Sequence, residues 1–231
     1  MKAHIKKQLL KILWFLDQYG FSISTFINAI KKSPLFIKDY IRFRKSLEVG
    51  TQIFIKPCLG DLNEESGAVN TEYFWQDLIV AQSIFKSNPI SHVDVGSRID
   101  GFVSNVASFR EIEILDVRPL SKKIPNVTFI QADLMESLDK SLLSKYGYCD
   151  SLSCLHALEH FGLGRYGDPI DVMGYQKGFS NMVKLLKQNG VFYFATPIGQ
   201  SRVEFNANRV FDPRVIMRLA EDNELSIQKL T

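Results

Sequence analysis

The feature that most constrains this chain is an apolar segment that runs into a glycine turn, followed by a second apolar segment that ends in an acid. The first spans residues 90–101 and carries Asp94 and Gly96; the second spans residues 112–116 and ends in Asp116. A glycine turn lets a ligand approach the backbone, because no side chain stands in the way. A carboxylate about 20 residues further along can accept hydrogen bonds from ribose hydroxyls. The pattern predicts the nucleoside-binding half of an α/β sheet.

The composition of the turn separates the classes of nucleotide site. A dinucleotide-binding fold needs Gly-x-Gly-x-x-Gly so that backbone amides reach a pyrophosphate. Here only the first and last glycines, Gly96 and Gly101, are present, and Ser97 is the first of the residues between them. A P-loop needs Lys-Ser/Thr after its last glycine, and Gly101 is followed by Phe102 and Val103. The spacing resembles instead the first motif of class I S-adenosylmethionine (SAM)-dependent methyltransferases, whose cofactor has no phosphate to bind.

Further along the chain, apolar strands alternate with amphipathic helices. Strands are predicted at 90–95, 112–116, 127–131, 150–155, 191–196 and 225–227, and helices from about 135 to 145, over 175–187 and over 212–222. This alternation predicts an α/β fold, a Rossmann-like doubly wound and mostly parallel sheet with helices on both faces. Asn189 and Gly190 are predicted to cap the helix that precedes the fifth strand, and that strand is predicted to be fully buried.

Two domains are expected, a helical, basic N-terminal extension with a connecting region over residues 1–88 and the cofactor-binding domain over residues 89–231. The extension includes a helix over residues 71–87, which ends before Pro89 because proline disfavours helix in the residue that precedes it. The three cysteines show no Cys-x-x-Cys pattern. This argues against a zinc site or a disulfide framework and favours a cytoplasmic location.

Basic charge is concentrated at the N-terminus. Residues 1–45 carry ten basic and two acidic side chains, a net charge of +8 in a chain of +3. Apolar residues over 9–16 are interleaved with lysines, a pattern typical of a basic amphipathic helix, and the run is too short and too interrupted to span a bilayer. No small-residue cleavage site follows it, so a secretory signal is not expected. Two alternatives stay open: the helices pack on the domain as a lid or dimer surface, which we favour, or they lie on a membrane surface.

Acids follow three successive predicted strands, at Asp94, Asp116 and Asp133. Each acid alone is a common cap or turn residue, but three in register favour a binding site. In a SAM site the second acid would hold the ribose, the third would accept from the adenine amino group, and Val117 or Leu134 would cover the ring. The predicted cofactor-binding residues are Asp94, Gly96, Ser97, Gly101, Asp116, Val117, Asp133, Leu134 and His156.

The resemblance to the class I methyltransferases covers residues 90–197, with 185–191 (LLKQNGV) similar to the superfamily's entry to its fifth strand. A narrower resemblance, to a methyltransferase-like family of unassigned function, lies in five segments. That family occurs in nematodes and in bacteria, often beside surface-polysaccharide genes. The segments are 116–120 (DVRPL), 151–156 (SLSCLH), 159–160 (EH), 162–169 (GLGRYGDP) and 205–210 (FNANRV). The resemblance implies the fold more strongly than the reaction, because fold does not fix function.

The sequence departs from the superfamily at its end. The chain stops at Thr231, so the seventh, antiparallel strand and its hairpin have no residues. Either the chain is truncated there or the sheet ends at six strands.

Three polar residues follow the fourth predicted strand within one helical turn, His156, Glu159 and His160. Some methyltransferases hold a divalent metal with Glu-x-x-Glu-His at this place, and here His156 stands in for the first glutamate, giving a mixed nitrogen and oxygen set. The alternatives are a general base at Glu159 or His160, or a pocket lining without metal. We favour the last, so no metal is expected.

The loop at 162–169 combines glycines with Arg165, Tyr166 and Asp168 beside the expected methyl group. These side chains can bind a polar, hydroxylated or anionic substrate, with Tyr166 or Asp168 as proton acceptor. The segment 206–209, which ends in Arg209, is expected to face the same pocket. The predicted catalytic residues are Glu159, His160, Tyr166 and Asp168.

These features predict a SAM-dependent methyltransferase that acts on an oxygen or nitrogen of a small polar acceptor, for example a sugar or a surface-polysaccharide precursor. Catalysis would rest on proximity and in-line alignment. The alternatives are a non-catalytic scaffold subunit with this fold and an NAD-type oxidoreductase, which the missing glycine disfavours. The expected partner is a small-molecule substrate and no nucleic acid is expected; a homo-oligomer and a peripheral membrane contact stay open.

Overall fold

The computed structural model describes residues 2–48, 51–60, 69, 71–136, 147 and 149–230, with the side chains of residues 2–8 excepted. The helix predicted over residues 135–145 lies mostly outside this range. The chain divides into two compact units, residues 1–68 and 69–231.

The first unit contains two helices, α1 (Lys2–Gln18) and α2 (Ile23–Lys45). Helix α2 begins where the Ser22 hydroxyl accepts a hydrogen bond from the Thr25 amide, an N-cap that satisfies one of the free amides of the first turn. No described residue of α2 is buried. None of the described helices has both the length and the apolar character that a bilayer crossing requires.

The second unit is built on a parallel sheet. Its strands are β1 (His92–Val95), β2 (Ile112–Asp116), β3 (Val127–Gln131), β4 (Cys149–Leu155) and β5 (Leu186–Ala195), in the order β3-β2-β1-β4-β5. Each neighbouring pair is parallel. The predicted Rossmann-like α/β fold is confirmed. The strand order reverses between β1 and β4, and in such sheets ligands bind in the crevice at the carboxyl ends beside the reversal.

Helices cover both faces of the sheet. Helix α3 (Glu72–Ser87), a π-type turn (Ile99–Val103) and α4 (Ser104–Ala107) lie on one face, and α5 (Gly174–Leu185) and α6 (Pro213–Asp222) lie on the other. Side chains of β2 alternate between the two cores, because successive residues of a strand point to opposite faces. Ile112 and Ile114 pack with α3 and α4, and Leu115 packs with α5 and α6.

Helix α3, which the sequence pattern grouped with the N-terminal extension, contributes Ala81 and Ile84 to the first of these cores. Its predicted ends are confirmed. The Thr71 hydroxyl accepts from the Phe74 amide at the start, and Asn88 ends the helix in the left-handed conformation.

The entry to β5 differs from the prediction. Helix α5 ends at Leu185 and β5 begins at the next residue, so Asn189 and Gly190 lie inside the strand rather than at a helix cap. The pairing of β5 with β4 shifts there, from Cys149 opposite Leu186 to Ser151 opposite Val191. The strand is half-exposed instead of fully buried, because it lies at the edge of the sheet and pairs on one side only.

The end of the described chain also differs from the prediction. Residues 225–227 are not in a strand, and the sheet of the described residues has five strands. A separate antiparallel pair that was not predicted, β6 (Arg202–Glu204) and β7 (Asn208–Val210), precedes α6.

Candidate functional site

A buried polar network joins the two central strands. In the register of β1 and β4, His92 lies opposite Ser151 and Asp94 opposite Ser153. His92 Nδ1 is 2.8 Å from Ser151 Oγ, and the Ser153 hydroxyl lies 3.2 Å from His92 Nε2 and donates to Asp94 Oδ1. All four side chains are buried. The pairing forms a ladder of hydrogen-bonded polar side chains at the centre of an apolar sheet. These hydrogen bonds are needed because a buried polar group without a partner destabilises the fold.

Asp94 extends this network into the glycine turn. Its Oδ2 accepts from the Ser97 amide at 3.0 Å and its Oδ1 from the Ser97 hydroxyl at 2.8 Å. Both carboxylate oxygens therefore bind the protein itself. Asp94 and Ser97, predicted to bind the cofactor, shape the turn at which a ligand would lie.

The turn itself depends on Gly96. Its φ is +72°, and a Cβ at this position would lie 2.8 Å from the Cβ of Ala157. Its amide donates to the carbonyl of Leu115 at the end of β2, at 3.0 Å. A residue without a side chain thus lets the ends of β1, β2 and β4 meet closely.

Asp116, predicted to hold a ribose, accepts hydrogen bonds from Arg118. The Arg118 amide and Nε lie 2.8 and 3.0 Å from Asp116 Oδ1, and Nε also lies 3.2 Å from Oδ2. Arg118 Nη2 reaches the Gly96 carbonyl at 3.4 Å. One guanidinium group therefore bridges the glycine turn and the strand-end acid. Arg118 lies within the 116–120 motif, but the motif alone did not predict a role for it.

Tyr166 brings the loop after β4 to this place. The guanidinium of Arg118 lies 4.6 Å from the centre of its ring, that of Arg165 lies 5.3 Å away, and the His160 ring meets it edge-on at 5.5 Å. Cations over the face of an aromatic ring are attracted by its negative quadrupole. The structure thus places Asp116, Tyr166 and His160, predicted separately, in one site.

Asp168 holds the loop that presents Tyr166. It is buried, and it accepts from the amides of Gly162 and Gly164 at 2.9 and 3.1 Å and from the amide of Tyr166 at 3.1 Å. Three backbone hydrogen bonds to one carboxylate hold the loop in this conformation. The arrangement gives Asp168 a structural role, and proton transfer by Asp168 stays a prediction.

The predicted triplet after β4 forms a buried cluster around Glu159. A short 3-10 turn (Leu158–His160) places Glu159 Oε1 3.1 Å from His156 Nδ1 and 3.9 Å from His160 Nε2, while Thr196 donates to Oε2 at 3.4 Å. Across the described part of the chain, no group of three or more His, Cys, Asp or Glu is arranged to hold a metal ion.

The tautomer of His160 follows from its partner. Nδ1 lies 2.7 Å from the carbonyl oxygen of Ala207. A carbonyl can only accept, so Nδ1 carries the proton and Nε2, on the side of Glu159, has a free lone pair. Burial lowers the pKa of His160 below its usual value. The ring is therefore neutral at pH 7 and able to take a proton on Nε2.

Helix α3 contributes two further polar side chains that the sequence analysis did not assign. The Tyr73 ring packs edge-on against His156 at 4.8 Å, and burial raises the pKa of its hydroxyl. Asp77 lies beside Gly101, where a Cβ would come within 2.8 Å of its Oδ2, and burial raises the pKa of its carboxyl as well. The signal was their spacing of four residues, which puts both on one face of a helix.

Other predicted cofactor contacts lie apart from this cluster. Leu134 is 2% exposed and packs in the core with α5, whereas Val117 is half-buried and is the remaining candidate to cover an adenine. Asp133 accepts from the Met135 amide at 2.8 Å and lines a cavity with Pro169 and other residues.

Arg209 was predicted to face the pocket, but it does not. It is buried, and its guanidinium donates to the carbonyl oxygens of Glu159 and Phe161 and lies 5.3 Å from the centre of the Tyr175 ring. A fixed planar donor set suits such a backbone contact. Arg209 therefore ties the β6–β7 hairpin to the turn that carries Glu159.

The buried ladder predicts a pH dependence of stability. Burial raises the pKa of Asp94 to about 6, against about 3.9 for an unfolded chain. Between these values the folded state binds more protons at this site than the unfolded state, so Asp94 makes the free energy of unfolding fall as pH rises from about 4 to about 6. The substitution Asp94→Asn removes this titration. Urea unfolding should show that stability increases more steeply with pH in the variant than in the wild type.

The comparison isolates Asp94 because His92 is present in both proteins. Burial lowers the pKa of His92 to about 3. His92 therefore has the opposite effect and makes the free energy of unfolding rise as pH increases from about 3 to about 6.5. The control is Asp100→Asn, at an exposed acid whose pKa the neighbouring Arg98 lowers. Parallel stability curves for wild type and Asp94→Asn between pH 4 and 6 would contradict the assignment.

The chain is similar to several solved structures. The chain is similar to an O-methyltransferase family protein from Burkholderia thailandensis (13% identity, 67% of this chain and 51% of that one, TM-score 0.49). It is also similar to CalS10, an amino pentose methyltransferase from Micromonospora echinaspora (17%, 54% and 50%, TM-score 0.39). The chain thus spans about half the length of these two proteins. No curated protein matches its sequence.

A family model also matches the chain. Its description is "Caenorhabditis protein of unknown function, DUF268", and it matches residues 108–222, just under half of the sequence. The match takes in β2 to β5 with Asp116, Arg118, the Glu159 cluster and the Tyr166 loop, and it begins after the glycine turn at Gly96.

Proposed function

We propose that the chain binds SAM at the carboxyl ends of β1 and β2 and transfers its methyl group to a small polar acceptor. The observation that carries the proposal is the bridge formed by Arg118, which contacts the Gly96 carbonyl and the Asp116 carboxylate at once. The N–H groups of Arg118 donate hydrogen bonds to both the carbonyl and the carboxylate. Ribose hydroxyls can supply the same donors, in the crevice beside the reversal of strand order.

The residues around the bridge fit SAM better than a dinucleotide. A pyrophosphate needs the amides of a helix N-terminus, and here the turn is followed by a π-type turn and the four-residue helix α4. Val117 is half-buried beside Asp116, and Asp77 offers a carboxylate near Gly101, the kind of group that pairs with an ammonium. When bound, SAM supplies an electrophilic methyl group on a sulfonium.

His160 is the residue best placed to remove a proton from the acceptor. Its neutral ring has the lone pair on Nε2, and Glu159 lies 3.9 Å away to stabilise the imidazolium that forms. Such a base contributes to the rate when it lies within hydrogen-bond reach of the acceptor. Positioning would supply most of the remaining rate, because methyl transfer needs no covalent enzyme intermediate. Tyr166 and Arg165 would border the acceptor.

The acceptor class is narrowed by the sequence resemblance alone. Segments 116–120 and 205–210 resemble a family found beside surface-polysaccharide genes, which supports a sugar or a polysaccharide precursor. A non-catalytic scaffold is the second candidate, favoured by the fact that Asp116 already has a partner in Arg118. The two differ in cofactor binding, because a scaffold of this kind does not require SAM.

Calorimetry with S-adenosylhomocysteine tests the proposed cofactor site. The wild type should bind it, and Asp116→Ala should weaken binding by about 1–3 kcal/mol, because a buried acceptor for the ribose hydroxyls is lost. The control is Asp212→Ala, which removes an acid that pairs with Arg214 at the same spacing but caps α6. Absence of binding by the wild type, or binding of NAD in its place, would refute the proposal.

The assignment of His160 as base is tested by NMR titration of the four histidines. The His160 ring should titrate below the usual imidazole pKa of about 6.5, because burial disfavours its charged form. Glu159→Gln should lower this pKa further, since Glu159 favours the protonated ring. The control Glu204→Gln alters an exposed acid and should have no effect. A His160 pKa that Glu159→Gln leaves unchanged would rule out this pairing, and a His160 pKa above 6.5 would contradict the neutral ring at pH 7.

We also propose that residues 1–45 bind an anionic membrane surface. Packing of these helices on the domain was favoured from the sequence alone. Within the first unit, α1 and α2 carry large apolar side chains that the unit itself does not cover, among them Trp14, Phe26 and Phe43, each with more than half of its surface accessible. The same segment has a net charge of +8. Exposed apolar surface beside clustered lysines is typical of interfacial helices, and its charge complements anionic lipids.

Cosedimentation of the full chain with vesicles tests this contact. Binding should require anionic lipid and weaken with added salt, because screening shortens the reach of the charges. Charge reversal of Lys31 and Lys32 to Glu should weaken it strongly, since each lysine contributes about 1 kcal/mol near such a surface. The matched control reverses the adjacent pair Lys122 and Lys123 in the second unit. Equal losses from the two pairs, or equal binding to neutral vesicles, would contradict the proposal.

A further inference from the structure

Arg165 is an exposed cation without a carboxylate partner in the described part of the chain. Its Nη1 donates to the Ala207 carbonyl at 2.9 Å and lies 3.4 Å from His160 Nδ1. The other arginines near the glycine turn, Arg98 and Arg118, each pair with an acid two residues away. Arg165 thus carries a positive charge that the described protein leaves uncompensated, at the edge of the candidate acceptor site.

A second cation shares the same aromatic ring. Arg118 and Arg165 both lie over Tyr166, at 4.6 and 5.3 Å from its centre. Two like charges at one ring repel each other, and only Arg118 is neutralised, by Asp116. An anion at this place would compensate the second charge. Guanidinium groups suit carboxylates and phosphates, because their planar donors form two parallel hydrogen bonds with such groups.

We propose that Arg165 and Arg118 bind an anionic group of the methyl acceptor, a carboxylate or a phosphate, and that cofactor binding makes Arg118 available for it. The second clause rests on the proposed function. Asp116 accepts four contacts from Arg118, which use its lone pairs. Ribose hydroxyls can therefore bind Asp116 only if the guanidinium leaves it.

The exchange replaces one set of donors by another. The Arg118 side chain is 41% exposed and that of Asp116 is 10% exposed, so the guanidinium can move into solvent, while the carboxylate needs other donors, which ribose hydroxyls supply. Its contact with Tyr166 keeps the released guanidinium beside Arg165. The order of binding follows: the cofactor takes Asp116 first, and the acceptor anion then finds two cations instead of one. Each ligand should consequently strengthen binding of the other, because coupling between sites is reciprocal.

This placement would also orient the acceptor for reaction. His160 contacts both Arg165 and the Tyr166 ring, so an anion held by the arginines leaves the rest of the acceptor close to the imidazole. The chemistry selects acceptors that carry both an acidic group and a hydroxyl or amine, such as acidic sugars and sugar phosphates. Neutral sugars would lack the anchor.

Arginine labelling of the full chain tests the proposal without an identified acceptor. Phenylglyoxal modifies accessible guanidinium groups, and peptide mass spectrometry reports the rate at each arginine. Inorganic phosphate and acetate, used in separate arms, should slow labelling of Arg165 severalfold, and the more protective anion identifies the acidic group. The matched controls are Arg202 and Arg214, exposed arginines paired with acids two residues away, which should be unaffected.

A second arm adds S-adenosylhomocysteine. Labelling of Arg118 should become faster, because the guanidinium leaves Asp116, and phosphate should then protect Arg118 and Arg165 together. In Arg165→Gln the protection of Arg118 by phosphate should be lost. Arg165 labelling that both anions leave unchanged would overturn the anion site, and slower Arg118 labelling with the nucleoside would overturn its release. If calorimetry shows no nucleoside binding, the proposed cofactor fails while protection at Arg165 still decides the anion site.

Discussion

The Asp94 carboxylate is the group on which the geometry of the site depends. It accepts hydrogen bonds from Ser153 on β4 and from the Ser97 amide and hydroxyl in the glycine turn. These bonds join the two strands that flank the reversal of strand order and fix the turn that ends β1. Burial of such a group is costly unless its hydrogen bonds are complete, so the network also specifies the register of β1 against β4. The positions of Gly96 and of the loop after β4 follow from that register.

The site is closed by contacts between side chains that are far apart in the sequence. Arg118, two residues after β2, reaches Tyr166 in the loop after β4, and Arg209 after β6 fixes the turn that carries Glu159 through its backbone carbonyl. Arg118 and Tyr166 lie in loops, whereas Arg209 lies in β7, outside the parallel sheet. Rigid strand ends place the acids, and cation–ring and guanidinium–carbonyl contacts then bring the loops to them.

The sequence predicted the strand ends well because they follow local rules. Alternation of apolar segments identified β1 to β4, and the acids at their carboxyl ends lie where a parallel sheet puts them. The loops were predicted less well. From the sequence alone, Asp168 was predicted to be available for proton transfer, yet its carboxylate accepts hydrogen bonds from three amides of its own loop. The spacing of apolar residues does not predict a turn of this kind. The edge position of β5 likewise depends on strand order, which is a property of the whole chain.

The partners of the four carboxylates separate structural from functional roles. Asp94 and Asp168 bind amides and hydroxyls that hold the backbone in place, and a ligand could take them only by unfolding the turn or the loop. Asp116 and Glu159 are held mainly by an arginine and two histidines, side chains that can rotate or change protonation. Groups with exchangeable partners can bind a ligand or take part in proton transfer without loss of the fold. The chemistry of this site should therefore pass through Asp116 and the Glu159–His160 pair, with Asp94 and Asp168 as their support.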